Sequence, residues 1–238
     1  MLSFKNVDFQ KVRRWIGKAI LYFFAISILS VIVFRFVPIP FTPLMLQRSL
    51  SQLVSGEPVI FQKDWVSLDN ISENMVTAVV AAEDQKFEDH TGFDMEAIEK
   101  AIEANKKLRK KKKPIRGGST ISQQTAKNVF LFPSRTWLRK GFEAYFTLLI
   151  ELFWSKERII EVYLNVIEMG NGIYGAEAAA QTFFHKSAAQ LRPSEAATIA
   201  AVLPNPRKFS AKNPSSYVIK RRNWIVRQMN HLELDLNK

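Results

Sequence analysis

Apolar residues are unevenly spread along the chain, and their spacing changes once. From Ala19 to Val37 they run almost unbroken, AILYFFAISILSVIVFRFV, with Arg35 as the only charge. Wound as an α-helix, this run would be about 28 Å long, close to the hydrocarbon thickness of a bilayer. Pro38, Pro40 and Pro43 end it and open a predicted linker that reaches to about Lys63. Beyond that point the apolar positions recur at helical spacing nearly throughout. Asn70 with Glu73 has the spacing of a capping box, and Met75, Val76, Val79 and Val80 follow as an apolar stripe. Residues 95–108 predict a helix, and Gly117-Gly118-Ser119-Thr120 is a break and cap that opens another through about Phe130. Further helices are predicted at 136–154, at 156–167 after the cap Ser155, and at 175–184. One more runs from Pro193 to before Pro204, and a last one from about Ser215 to His231. No alternating stretch is long enough to require a sheet. The expected fold class is all-α.

The unbroken run predicts a single transmembrane helix at 19–37. A buried core helix of this length is rarely apolar all round. A cleaved signal peptide has a shorter apolar region and a small-residue cleavage site, and none precedes Pro38. Lys18 and Arg35 sit where long basic side chains can reach headgroups. The expected organisation is a basic cytoplasmic tail over 1–18, the helix over 19–37, a linker over 38–63 and one folded domain over 64–238. The basic flank stays in the cytoplasm by the positive-inside rule, which puts the folded domain on the other side.

Charge changes the picture less than its size suggests. The net charge is +12, but residues 1–18 carry five basic groups against Asp8, and Lys106 to Arg116 carries eight with no acid. Those two segments account for the whole excess, so the rest of the chain is neutral. A nucleic-acid surface would be spread over the folded domain, and no nucleic-acid partner is expected. The basic run predicts an extended, solvated loop, because like charges repel. There is no cysteine, which excludes disulfides, thiolate metal sites and a cysteine nucleophile.

Two polar clusters interrupt the helical pattern. The first, Glu83-Asp84-Gln85-Lys86-Phe87-Glu88-Asp89-His90-Thr91-Gly92-Phe93-Asp94, follows an apolar helix. Glu83 therefore falls at a helix C-terminus, where the macrodipole opposes a negative charge and can keep a carboxylate basic. The second runs from Arg116 through Gly117, Gly118, Ser119, Thr120, Gln123, Gln124, Lys127 and Asn128, and is followed by Arg135, Arg139, Lys140 and Glu143. Glycines, hydroxyls and a helix N-terminus favour an anion, and the later cations suit a phosphate. Arg139 and Glu143 also have the spacing of a plain surface ion pair. The P-loop ending Gly-Lys-Ser/Thr is missing, so nucleotide hydrolysis is not indicated. Together the clusters suggest two carboxylates, a sugar-sized cleft and a diphosphate site beside a bilayer.

In this order EDQKFEDHTGFD, GGSTISQQTAKNVF, RKGFE and KERIIEVYLNVIEMGNGIYGAEAAAQTFF resemble the peptidoglycan glycosyltransferase family, which includes the glycosyltransferase domains of bifunctional penicillin-binding proteins. The resemblance covers about residues 60–230. The tail AVLPNPRKFSAKNPSSYVIKRRNWIVRQM is similar to the monofunctional branch, and no Ser-x-x-Lys or Lys-Thr-Gly of a transpeptidase occurs in these residues.

The resemblance implies a lysozyme-like α-helical domain with a small membrane-associated jaw. It implies lipid II, a disaccharide-pentapeptide on undecaprenyl diphosphate, as acceptor and the growing glycan strand as donor. Glu83 would be the general base and Glu143 the second catalytic carboxylate. Lys127 and Arg135 would contact the diphosphate, with Arg139 and Lys140 nearby. Ser119, Gln123 and Gln124 would line the cleft, and Asp84, Phe87, His90, Thr120 and Asn128 of the same motifs are counted with the substrate-binding residues. A divalent cation, Mg or Mn, is a possible cofactor near Glu143. Cell-wall synthesis or divisome proteins are possible partners, and the expected location is a cell inner membrane, single-pass, with the domain in the periplasm. The rival readings are a lytic glycan hydrolase and a silent glycan-binding scaffold. Thr125 and Arg192 depart from the family, Thr125 by putting a polar group on an inner helix face and Arg192 by removing a hydroxyl cap. Phe130, Leu131, Phe132, Trp137 and Leu138 are expected either in the core or in the membrane-dipping jaw.

Overall fold

The computed structural model describes residues 9–110, 118–134 and 136–236. The first residues of the basic tail, most of the basic run with Arg116 and Gly117, and Arg135 lie outside the described residues. The chain divides into two units, Met1–Val37 and Pro38–Lys238. The first is one helix, α1, at Phe9–Phe36, long and apolar enough to cross a membrane. It starts ten residues before the apolar run, because the Gln-Lys-Val-Arg-Arg segment contains good helix formers and an existing helix extends cheaply.

The second unit contains α2 (Pro43–Val54), α3 (Glu73–Glu83), α4 (Met95–Lys110), α5 (Ile121–Phe130), α6 (Trp137–Phe153), α7 (Lys156–Val166), α8 (Ala176–Phe184), α9 (Pro193–Val202) and α10 (Ser216–Met229). The fold class is all-α, as expected. The predicted linker over 38–63 is corrected. It contains α2, with Pro43 at its first turn and Thr42 accepting from Met45 N, and it ends in a short strand. The three prolines punctuate the chain before and at the start of a helix, where proline is tolerated, so they did not mark unstructured chain. The Asn70–Glu73 capping box is corrected too. Asn70 lies in a single 3-10 turn, and the cap of α3 is Ser72, which accepts from Asn74 N.

The α3 helix is buried on most of its circumference, through Met75, Val76, Ala78, Val79, Val80 and Ala81. It packs against α9 and α10, where the Ala-rich sequence of α9 lets backbones approach closely. Truncating Met75, which is fully buried, to alanine would cost roughly 2–5 kcal/mol. A second group is formed by α5 packed against α6 and α7. Thr125 is fully buried in α5, and its hydroxyl donates to Ile121 O at 2.9 Å, so the polar departure on that face is satisfied. At α9 the missing hydroxyl cap is offset from the other side, since Glu195 accepts from Arg192 N at 2.9 Å.

One small sheet joins the ends, in the order β1 (Gln62–Lys63), β3 (Ile173–Tyr174), β2 (Glu168–Gly170). Gly172 turns between β2 and β3 at φ +72°, where a Cβ would lie 2.2 Å from Ile60 O. Only glycine lets the two segments pass this close. Asn165, fully buried, holds the next stretch by accepting from Val66 N and donating to Val66 O, both at 2.9 Å.

Candidate active site

The two helical groups meet where α3 ends and α5 begins. Glu83 is the last residue of α3, and Asp84 turns the chain away from it. The Asp84 carboxylate accepts from Ile121 N at 2.9 Å, at the N-terminus of α5, where free N–H groups and the dipole both favour an anion. It also binds His90 Nε2 at 3.0 and 3.1 Å, while Gly92 N donates to His90 Nδ1 at 3.1 Å. With Nδ1 accepting from Gly92 N, Nε2 is the ring nitrogen that faces Asp84. Thr120 caps α5 and donates to Gly92 O at 2.7 Å, and Gln123 completes a capping box with it. Phe87 is fully buried under Lys156, whose ammonium also donates to His90 O and pairs with Glu151. Ser122 bonds to the same Glu151.

These bonds staple loop 84–94 to the start of α5. Asp84, His90, Thr120 and Gln123 bond within this frame, Phe87 packs beneath it, and Asp84 and Thr120 also reach the hollow beside Glu83. Sequence spacing alone does not show these contacts. Ser119 is exposed, and with Glu83, Lys86, Lys100 and Thr120 it lines a hollow of about 290 Å³.

The frame brings Gln124 to Glu83. Gln124 Nε2 donates to Glu83 Oε2 at 2.9 Å, and its Oε1 lies 3.4 Å from the Tyr163 hydroxyl, which fixes the amide's orientation. Burial pushes the Glu83 carboxyl above the usual glutamate range. The bond from Gln124 and the charges of Arg221 and Lys127 pull it partly back, and Asp84 adds to the rise. Arg221, on α10, also donates to Ala82 O at 2.9 Å. Glu83 has no salt bridge among the described residues.

Glu143 is built differently. It is only 2% exposed, in the middle of α6. Arg139 Nη1 donates to one of its oxygens at 2.5 Å, and Lys140 pairs with the other. Lys127 feels the charge of both carboxylates. Its ammonium is held below the ordinary lysine range by burial first, with Arg139 and Lys140 pushing the same way and Glu143 and Glu83 opposing. Lys127, Asn128 and Arg139 line a second hollow of about 440 Å³. A larger hollow, about 630 Å³ between the start of α3 and residues 232–236, contains none of the candidate site residues. Chemistry, not size, picks out the other two.

Among the described residues no three His, Asp or Glu side chains converge on one point. Both oxygens of Glu143 are already held by cations, so the residues present do not fit a protein-ligated Mg or Mn. Of the apolar group after α5, Phe130 is half-buried and stacks on Phe146 at 4.6 Å, and Leu131 is half-buried. Phe132 and Leu138 are exposed, and Trp137 is 92% exposed. The segment divides between core and surface. Tyr163, Arg221, Lys156 and Arg48 were not singled out from sequence. Tyr163 lies inside a quoted motif, but nothing local to it or to Arg221 marks a contact with residues 39 to 139 positions earlier.

The transglycosylase family model matches residues 52–230. The chain is 54% identical over 226 residues to a Bacteroides thetaiotaomicron protein named biosynthetic peptidoglycan transglycosylase, covering 95% of this chain and 90% of that one. A Bdellovibrio bacteriovorus protein of the same name is 54% identical over 220 residues, covering 92% and 86%. One from Yersinia pseudotuberculosis is 50% identical over 233 residues, covering 98% and 95%.

Proposed function

The chain belongs to the transglycosylase family, and on that premise we propose how its residues divide the work of polymerising lipid II. It is a peptidoglycan glycosyltransferase that builds glycan strands. Glu83 is the general base. It takes the proton from the acceptor's 4-hydroxyl, and that oxygen attacks C1 of the donor sugar. The bond from C1 to the diphosphate oxygen breaks, and the electron pair leaves with undecaprenyl diphosphate. The donor bond is α and the product bond β, so one inverting displacement suffices, with a base on one face and leaving-group stabilisation on the other.

The observation that carries this reading is the contrast between half-buried Glu83 and buried Glu143. Glu83 is desolvated, has no ion pair among the described residues and is raised above the usual glutamate range, which suits a proton acceptor. Glu143 is clamped by Arg139 and Lys140 beside Lys127. A diphosphate leaving group carries its own charge and wants fixed cations more than a proton donor. Lys127, Arg139 and Lys140 supply them, and Arg135 joins them on family resemblance alone. Glu143 orients the cations.

A raised carboxyl also suits the acid of a lytic hydrolase. Such an enzyme has no use for three cations beside Glu143. The reading extends to placement: α1 anchors the protein in a cell inner membrane, with the catalytic domain on the periplasmic side.

The test is polymerisation of labelled lipid II by the detergent-solubilised protein, run beside Glu83→Gln. The expected result is glycan ladders with undecaprenyl diphosphate released by the wild type and none by the variant. A silent wild type, release of fragments from finished glycan, or an active variant would overturn the reading.

A further inference from the structure

The hollow beside Lys127 has a wall that the family match does not include. Its lining contains Leu44 and Arg48 of α2, facing Lys127, Leu131, Pro133 and Arg139. Leu44 and Arg48 precede the matched residues 52–230 and lie in the segment expected to be a mere tether. We infer that α2 is a working part of the donor site, in which Arg48 binds a prenyl diphosphate through its phosphates and Leu44 packs on the first carbons of its chain. The inference rests on the reading of this hollow as the leaving-group site.

Arg48 is poised for a ligand and not consumed by the fold. Its Nε is buried and makes no hydrogen bond. The acid facing it, Glu168 on β2, has Oε2 at 3.6 Å, too long for a hydrogen bond. Glu168 is itself held above the usual range by burial, with Arg48, Gly172 N and Arg207 opposing. Arg48 and Glu168 form a long salt bridge with no hydrogen bond between them. A second buried donor, Arg139 Nε, is also unpartnered on the same lining. Guanidinium groups match phosphate oxygens in pairs. Leu44, Leu131 and Pro133 supply an apolar side that a bare inorganic anion would not require. The volume of about 440 Å³ lies within the range of small-molecule sites.

Calorimetric titration of the detergent-solubilised full chain with farnesyl diphosphate tests this, with inorganic diphosphate and farnesol as separate arms. Arg48→Met is expected to weaken farnesyl diphosphate about tenfold and Arg48→Lys about threefold, because a lysine keeps the charge but loses the fork. Leu44→Ala should weaken farnesyl diphosphate while leaving inorganic diphosphate unchanged. In turnover, Arg48→Met should lower kcat/KM for lipid II, and by more than Arg48→Lys does, because a cation on the leaving-group phosphates is lost. Glu168→Gln removes the loose partner and should bind at least as tightly as wild type. Wild-type affinity in Arg48→Met, or equal losses in Arg48→Met, Arg48→Lys and Glu168→Gln with a parallel fall in Tm, would overturn the inference and make Arg48 a scaffold residue. No titratable binding to the wild type would also overturn it. Failure of the broader reading looks different. A wild type that binds farnesyl diphosphate through Arg48 yet does not polymerise lipid II would keep the pocket and lose the reaction.

Discussion

Glu83 and Glu143 are the same residue type, both largely withdrawn from water, about one site, and they are prepared in opposite ways. Glu83 closes α3, a helix buried among aliphatic side chains, and its hydrogen bond comes from a neutral amide. Glu143 sits inside α6 with a guanidinium on one oxygen and an ammonium on the other. Among the described residues the first helical group brings no cation into contact with its carboxylate, Arg221 acting on it by charge alone, while the second supplies two in contact. A carboxylate left unpaired by its neighbours can take a proton, while one saturated with cations can only hold them in place. The difference is set by which elements converge, α3 with α9 and α10 against α5 with α6, and not by the glutamates themselves.

The sharpest way to break this comparison is to neutralise each acid in turn. Glu83→Gln should lower the polymerisation rate by roughly 10²–10⁴-fold, the range of a lost general base. The same change should make the protein more stable at neutral pH. Burial raises the Glu83 carboxyl in the folded chain above its ordinary value of 4.5. Below that value both folded and unfolded chains keep the proton, and folding bears no penalty. As pH rises past it, the unfolded chain ionises first, and the penalty grows until the folded group ionises as well. The stability gap between Glu83→Gln and wild type should therefore be largest above the raised value and close in acid. Thermal unfolding across pH measures it, and a variant less stable than wild type at pH 7 would show that Glu83 is not desolvated as described.

Glu143→Gln should move both quantities downward. Glutamine cannot hold two cations, so Arg139, Lys140 and Lys127 would be left crowding one another. Breaking a buried ion pair costs roughly 3–5 kcal/mol, but Lys140 is 44% exposed and its share is screened, so about 2 kcal/mol of stability is expected. Activity should fall roughly 10–100-fold, the effect of misplaced leaving-group cations. Opposite signs in the stability of the two variants are the signature. If both stabilised or both destabilised, the two acids would not be differently prepared.

Much of this contrast was legible in the sequence, but only along the chain. Helical periodicity placed α3 to α10 within a few residues, because each has an apolar face that repeats locally. Glu83 at a helix end and the Arg139–Glu143 spacing were also local patterns. What sequence spacing could not give was the partner across the fold. Asp84 and His90 lie among other charged residues, and nothing local to them shows that they bond to each other and that Asp84 pins the start of α5. The linker expectation failed for a related reason. Prolines were read as breaks, but at Pro43 the missing N–H falls where a helix has no use for it, and the residues after it wind into α2. Arg48 was lost with that helix.

A finer cut separates the hydrogen bond on Glu83 from its charge environment. Gln124→Ala removes the donor that lowers the Glu83 carboxyl, next to burial the largest influence on it. The acid limb of kcat/KM should move to higher pH. The loss of one neutral hydrogen bond, about 1 kcal/mol, should also slow the reaction at neutral pH by about fivefold. A limb that moved down, or not at all, would mean the amide does not tune the base.

Arg221→Met should give the smallest change, in the same direction. Arg221 lowers the Glu83 carboxyl by its charge and makes no bond to it, since its hydrogen bond goes to Ala82 O. Removing the charge should raise the acid limb by less than Gln124→Ala does. The two variants part company in salt. A charge acting across a half-exposed gap is screened as the Debye length contracts from about 10 Å at 0.1 M to about 3 Å at 1 M. A direct hydrogen bond is not screened in this way. The shift in Arg221→Met should therefore shrink toward wild type at high salt, while that of Gln124→Ala persists. Equal salt sensitivity in both would mean that Glu83 feels only a general field, and its neutral partner would then matter no more than the distant cation.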